Sequence, residues 1–174
     1  VYTSREPYGV VGCITPWNYP LVLTSWKIGP ALAAGNCVVL KPAEQSPLTA
    51  LRVAELSEGI LPDGVLNVVP GFGDEAGSAV TGHADVQKVS FTGEDVTGEA
   101  VMSAAAENIT PVTLELGGKS PFVVFPDADV EQAAETVGGS ITYNTGQSCD
   151  ACSRAIVHED VLDEFVDHLV AEME

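Results

Sequence analysis

The 174 residues carry 7 lysines and arginines against 25 aspartates and glutamates, a formal net charge of -18, and 45% of them are hydrophobic. That composition supports one buried core, or one and a part, and because the acids are spread along the chain it excludes a disordered acidic tail in favour of an acidic folded surface. Such a surface repels nucleic acid and anionic membranes, and it suits molar salt, where a Debye length of about 3 Å screens self-repulsion, so a halophilic origin is expected.

Taken in order, apolar β-rich runs alternate with helical patterns. Gly9–Thr15 reads as a buried strand, and Pro20 opens a helix whose apolar positions Leu21, Trp26, Ile28 and Leu32 lead to a stop at Gly35. Asn36–Leu40 is the second strand, and Ser46 is read as the N-cap, with Pro47 in first helical position, of a helix reaching Gly59. Val65–Val69 is strand three, a short helix begins near Asp74, Lys88–Thr92 is strand four, and a helix runs from about Val96 to Asn108 before strand five at Val112–Leu116. Strand and helix repeated at this spacing predict an α/β fold, a parallel sheet with helices on both faces, which is commonly a nucleotide-binding architecture.

After Gly117-Gly118 the pattern changes, and a domain boundary is placed there. Pro121–Phe125 is a further strand, and Asp129 followed by Gln132 resembles a capping box opening a helix to about Tyr143. The polar stretch from Asn144 to Arg154 follows, expected to face the first domain. The last helix pattern (Val161, Leu162, Phe165, Val166, Leu169, Val170) meets no glycine, proline or polar loop before Glu174, and Val1 is not methionine, so a fragment of a longer protein is expected.

Four cysteines (Cys13, Cys37, Cys149, Cys152) do not form an extracellular framework, and no secretory segment is read at the start, so a cytoplasmic location is expected. The least polar stretch, Pro20 to Leu40, is interrupted by Lys27, Pro30 and Asn36 and is not a membrane span.

Several residues carry candidate chemistry. Cys149, in a short polar segment between helix and strand, is the candidate nucleophile, against the alternative of an inert buried thiol. Asn18, after strand one, has an amide able to donate to an oxyanion, or else it caps the next helix. Lys41 and Glu44, after strand two, can hold ribose hydroxyls, with Glu44 rejecting a 2′-phosphate by charge, or else form a solvated pair. Gly93 and Gly98 form a strand-to-helix turn whose backbone N–H groups could approach a pyrophosphate, though the turn lacks the Lys-Ser/Thr of a P-loop. Glu115 is a carboxylate inside an apolar run, costly to bury when ionised and therefore a candidate general base with a raised pKa; by strand alternation it could instead face water.

Together Thr15-Pro16-Trp17-Asn18, Lys41-Pro42-Ala43-Glu44, Pro70-Gly71-Phe72-Gly73, Phe91-Thr92-Gly93, Leu114-Glu115-Leu116-Gly117-Gly118-Lys119-Ser120-Pro121 and Gly146-Gln147-Ser148-Cys149 with Ser153-Arg154 resemble the aldehyde dehydrogenase superfamily, in the family's order and over almost the whole chain. The resemblance implies a Rossmann-like cofactor domain over 1–117, incomplete, and the start of an α/β catalytic domain over 118–174. It implies that Cys149 attacks an aldehyde, that Asn18 and the Cys149 N–H hold the oxyanion, and that Glu115 activates the water that releases a carboxylic acid. It implies NAD more than NADP as cofactor, contacted by Thr15, Pro16, Trp17, Lys41, Pro42, Glu44, Gly71, Gly73, Phe91, Thr92, Gly93, Glu94, Leu116 and Gly117. A small-molecule aldehyde is the implied partner, with no metal, nucleic acid or membrane, and the full-length protein is expected to be a homo-oligomer.

Three positions depart from the family's pattern. Glu94 stands where serine is common, a carboxylate where a hydroxyl would meet the pyrophosphate, so it either turns away or relies on salt to screen the clash. Thr145 replaces a glutamine and is read as a tolerated loop change, while Asp150 opposes formation of the neighbouring thiolate unless it points outward. Two alternatives stay open. Cys149-Asp150-Ala151-Cys152 has the spacing of thiol oxidoreductases and of half a zinc site, although no second such pair exists and His83, His158 and His168 are scattered; it could also form a reversible disulfide protecting Cys149. The chain could also be a remnant that binds NAD without turnover.

Overall fold

The computed structural model describes residues 1–174, which divide into two compact units, Val1–Leu116 and Gly117–Glu174. The first is built on five strands, β1 (Val10–Ile14), β2 (Cys37–Lys41), β3 (Leu66–Val68), β4 (Lys88–Thr92) and β5 (Val112–Glu115). Every pairing is parallel and the spatial order is β3-β2-β1-β4-β5. The central strands are β-branched apolar runs, as a sheet covered on both faces requires. One core holds Val11, Cys13, Ile28, Val38, Leu40 and Ala50, and another holds Ile14, Val86, Val89, Phe91 and Val101. Fully burying a side chain such as Val38 or Leu40 stabilises the fold by about 1.5–3 kcal/mol.

The crossovers are α1 (Pro20–Ala33), α2 (Leu48–Ser57), α3 (Ser78–Gly82), entered through a π-turn at Gly73–Gly77, and α4 (Asp95–Ala106). The end of α1 follows from three residues. Gly35 takes the left-handed φ of 82°, its N–H bonds Leu32 O at 2.9 Å, and Asn36 N–H reaches Ala31 O at 3.1 Å, the double closure that a glycine just past the helix allows. The start of α2 corrects the sequence reading: the helix begins at Leu48 with Pro47 at its N-cap. The Ser46 hydroxyl donates to Trp17 O at 3.3 Å instead, tying the segment after β1 to the segment after β2.

Gly12, mid-strand in β1, is fixed by packing. A Cβ there would lie 2.7 Å from Val80 Cγ1 and 3.2 Å from Val86 Cγ1, so α3 and its following loop sit directly on the bare backbone. Gly12→Ala is expected to destabilise the protein by about 1–3 kcal/mol through overpacking, read as a lower urea midpoint with an unchanged m-value.

The second unit is a βαβ unit plus a helix. Strands β6 (Pro121–Val124) and β7 (Arg154–Val157) pair in parallel, with α5 (Val130–Thr142) between them in sequence and α6 (Leu162–Met173) following. As the sequence predicts, Asp129 caps α5, its carboxylate accepting from Gln132 N–H at 3.0 Å. The core contains Val124, Val130, Ala133, Ala134, Val137 and Phe165, and α5 and α6 approach so closely that a Cβ on Gly138 would lie 2.8 Å from Glu172 Cγ. No helix in either unit is long and apolar enough to cross a membrane.

Candidate active site

All five strands of the first unit end on one edge, and the strand order makes a crevice there. From β1 the chain moves outward through β2 and β3, whereas β4 lies on the other side of β1 and leads to β5. The carboxyl ends of β1 and β4 therefore flank the point where the winding reverses, which is where open parallel sheets bind ligands. Thr15 follows β1 and Thr92 ends β4; they are 2% and 6% exposed, and neither hydroxyl has a hydrogen-bond partner. An unpaired buried hydroxyl costs about 1–3 kcal/mol, and these two at the crevice are free to donate to or accept from a bound molecule.

Pro16 and Asn18 are half-buried and Trp17 is exposed just beyond β1. Tyr19, not Asn18, stands at the N-cap of α1, and it makes no side-chain capping bond. At the end of β2 the Lys41 ammonium is buried and donates to Glu44 Oε2 at 3.0 Å. This is not the solvated pair of the alternative reading. Glu44 itself is exposed, and its own backbone N–H, followed by Lys41, holds its carboxyl below the usual range. Pro42 is fully buried behind the pair, and Lys41 O accepts from Thr15 N–H at 3.1 Å, which couples the ends of β2 and β1.

Gly71 and Gly73 lead from β3 into the π-turn. A Cβ on Gly71 would fall 2.8 Å from that of Ala76, and Gly71 has a φ of 156°, whereas Gly73 has open space around it. At the end of β4, Gly93 N–H bonds Glu115 O at 3.1 Å. Gly98 lets α4 sit against Leu116, since a Cβ there would be 2.8 Å from Leu116 Cδ2. Glu94 occupies the N-cap of α4 with extended backbone, and its Oε1 accepts from the Thr97 hydroxyl at 3.1 Å.

The structure corrects the argument for Glu115. Along β5 the residues alternate between half-buried and exposed, and Glu115 falls on the exposed side. The apolar neighbours Leu114 and Leu116 take the core positions, so the desolvation expected from the sequence run is not met and period-two alternation wins. A second buried cation besides Lys41 is Lys27 on α1, which the sequence reading treats only as an interruption of an apolar stretch. Lys27 is 8% exposed and donates to Ser90 Oγ at 3.0 Å. Burial pushes its pKa down, opposed by Cys13 and Glu115, while the Cys13 thiol is itself pushed up to about 11 by burial, against the pull of Lys27. The signal was available: Leu23, Thr24, Lys27 and Ile28 recur at helical spacing as the buried face of α1.

In the second unit α5 leads into a turn at Tyr143–Gly146 in which Asn144, Thr145 and Gly146 have φ of 49°, 61° and 72°. Three successive left-handed residues redirect the chain after the helix. For β-branched Thr145 this conformation stores about 1–3 kcal/mol. The chain then turns at Ser148–Ala151, closed by Ala151 N–H on Ser148 O at 3.2 Å, and presents Cys149 as an exposed free thiol. Its carbonyl accepts from Ser120 Oγ at 3.4 Å, and Arg154 Nε donates to Lys119 O at 2.7 Å, so the segment 118–120 braces the turn. The Ser148 hydroxyl donates to the Asp150 carboxylate. Cys152 differs in kind: it packs against the small core, and its N–H bonds Ser140 Oγ at 3.1 Å. The pair lies after a helix and one member is a core residue, an arrangement unlike a dithiol exposed at a helix N-terminus.

The first unit thus gathers residues 15–18, 41–44, 91–94 and 115–116 at one sheet edge, with Gly71 and Gly73 following β3. Gly117 and Cys149 belong to the second unit.

Residues 1–174 match the model of the aldehyde dehydrogenase family. Member B4 of aldehyde dehydrogenase family 2, mitochondrial, from Arabidopsis thaliana is 55% identical over 169 residues, covering 96% of this chain and 31% of its own length. A chloroplastic betaine aldehyde dehydrogenase from Beta vulgaris is 52% identical, over 97% of this chain and 34% of its own. Among solved structures, an aldehyde dehydrogenase from Bacillus cereus in complex with NAD+ superposes with a TM-score of 0.91 at 54% identity, covering 95% of this chain and 34% of that one. The chain spans about a third of the length of the curated relatives it matches.

Proposed function

The chain belongs to the aldehyde dehydrogenase family, and we propose that it supplies the dinucleotide edge and the nucleophile of an enzyme that oxidises an aldehyde to a carboxylic acid with NAD. The observation that carries this reading is the pair of orphaned hydroxyls, Thr15 and Thr92, at the winding reversal of the sheet, with the buried Lys41 ammonium paired to the exposed Glu44 at the end of β2. Their chemistry fits a dinucleotide. Lys41 and Glu44 supply a donor and an acceptor for ribose hydroxyls, and the turn before α4 supplies backbone N–H groups.

In this reading the Cys149 sulfur, as thiolate, forms a bond to the aldehyde carbon, and the carbonyl electron pair moves to oxygen. The Asn18 amide and the Cys149 N–H stabilise that oxyanion. Bound NAD supplies the hydride acceptor, and as the oxyanion collapses the hydride leaves carbon and a thioester remains on Cys149. Glu115 takes a proton from water, whose oxygen adds to the thioester; the C–S bond breaks, the carboxylic acid leaves, and the thiolate is restored. The exposed position of Glu115 on β5 is compatible with contact to solvent water. Aldehyde-dependent appearance of reduced nicotinamide, with carboxylic acid formed in equal amount, tests the proposal; consumption of aldehyde without reduction of NAD would refute it.

Cofactor choice is a separate test. Glu44 carries a carboxylate at the ribose position, and repulsion of a 2′-phosphate at about 4 Å lies between about 1 kcal/mol in bulk water and about 4 kcal/mol near a protein surface. NAD is expected to be preferred over NADP by at least about tenfold in kcat/KM, and Glu44→Gln is expected to narrow that ratio by raising NADP usage; a native preference for NADP would contradict the assignment.

A further inference from the structure

We infer that Glu94 is an electrostatic gate on the dinucleotide, a carboxylate fixed at the start of α4 that competes with the pyrophosphate and makes its binding tighten as salt is added. This rests on the reading of the sheet edge as a dinucleotide site. The helix is 12 residues long, enough for its unpaired N-terminal N–H groups and aligned dipoles to attract an anion. A diphosphate approaching the end of β4 from the crevice would use those groups, alongside the unpartnered hydroxyl of Thr92, which is 6% exposed. Glu94 brings a carboxylate to the same end.

Where that charge sits decides its effect. The Glu94 side chain does not extend freely into solvent: Oε1 accepts from Thr97 Oγ1 at 3.1 Å, and Thr97 is in the first helical turn, within about 5 Å along the axis of the N-cap. Its backbone is committed too, with Gly98 N–H on Glu94 O at 2.9 Å. Asp95 adds a second carboxylate in that turn, and no lysine or arginine forms an ion pair with either. The helix end is therefore partly neutralised by its own residues, and an incoming anion meets like charge at close range. Like charges on an exposed surface are screened within about 10 Å at 0.1 M salt and about 3 Å at 1 M, which sets the sign of the salt response.

The test measures the Kd of NAD by titration calorimetry across ionic strengths, down to the lowest salt at which circular dichroism shows the native spectrum. Native protein is expected to bind more tightly as salt rises. Glu94→Gln is expected to bind about fivefold more tightly at low salt, with the difference closing to within about twofold at 1 M. Because the whole protein is acidic, Glu107→Gln serves as the control: it removes the same charge at the far end of α4 and should follow the native salt curve. Thr97→Val removes the hydrogen bond while leaving the carboxylate, and it should retain a tightening with salt of native sign. If Glu94→Gln and Glu107→Gln gave the same curve, or if Thr97→Val reproduced Glu94→Gln, the gate would be refuted. If no variant bound NAD at any salt, the dinucleotide reading itself would fall and the gate with it.

Discussion

Cys149→Ala is expected to abolish aldehyde-dependent reduction of NAD, by more than about a thousandfold, while NAD affinity and unfolding midpoint stay within the native range. The separation follows from where the thiol sits. Cys149 is exposed on a turn whose closing bonds are main-chain atoms and the Ser120 hydroxyl, so removing its sulfur leaves no cavity and breaks no hydrogen bond of the turn. Cys152 behaves in the opposite way. Its side chain packs with the small core, so Cys152→Ala is expected to lower stability and leave chemistry intact. Limiting iodoacetamide gives an independent readout, because an exposed thiol alkylates ahead of one packed against a core. Turnover surviving in Cys149→Ala, or alkylation of Cys152 ahead of Cys149, would overturn the assignment of the nucleophile.

That contrast also marks what a sequence can disclose. The parallel sheet was legible because each strand is a short β-branched run ended by a turn residue, and the capping of α5 was legible because Asp129 and Gln132 stand three apart. Both are local signals. The motif residues 15–18, 41–44 and 91–94 follow strands that the sequence reads as parallel, which already puts them on one edge; which of those strand ends are neighbours depends on strand order, which no local signal encodes.

The misses share a cause. Ser46 has the chemistry of an N-cap, yet its hydroxyl is taken by Trp17 O from a distant segment. Gly12 looked like one more residue of a strand, but its lack of a Cβ is demanded by Val80, almost seventy positions away in sequence. Glu115 stands among apolar neighbours that suggest burial, but the strand alternation that the sequence also offers holds along β5 and turns it outward. Lys27, a cation between apolar residues, reads as an interruption, although the helical period puts it on the buried face. In each case a tertiary partner or a period, not the residue type, decided the outcome.

The outward position of Glu115 sharpens what its replacement should do. Glu115→Gln is expected to slow steady-state turnover by about 10²–10⁴-fold, the range for losing a general base, but to spare the steps before hydrolysis. The side chain is exposed and the strand's link to the β4–α4 turn is made by the Glu115 carbonyl to Gly93 N–H, so the amide substitution leaves the fold unchanged. Reduced nicotinamide should then appear in a rapid burst equal to the enzyme concentration and stall, because the acyl group remains on Cys149. Hydroxylamine, which attacks a thioester without a base, should restore turnover in the variant far more than in the native enzyme. One nearby group needs its own control: Lys27 is held partly by the charge of Glu115, so losing the carboxylate pushes the already lowered Lys27 pKa further down. Lys27→Met is therefore expected to leave hydroxylamine-insensitive turnover, separating loss of the base from loss of the buried cation. A variant Glu115→Gln with no burst, its first turnover slowed as much as the later ones, would assign Glu115 to an earlier step and remove it as the activator of water.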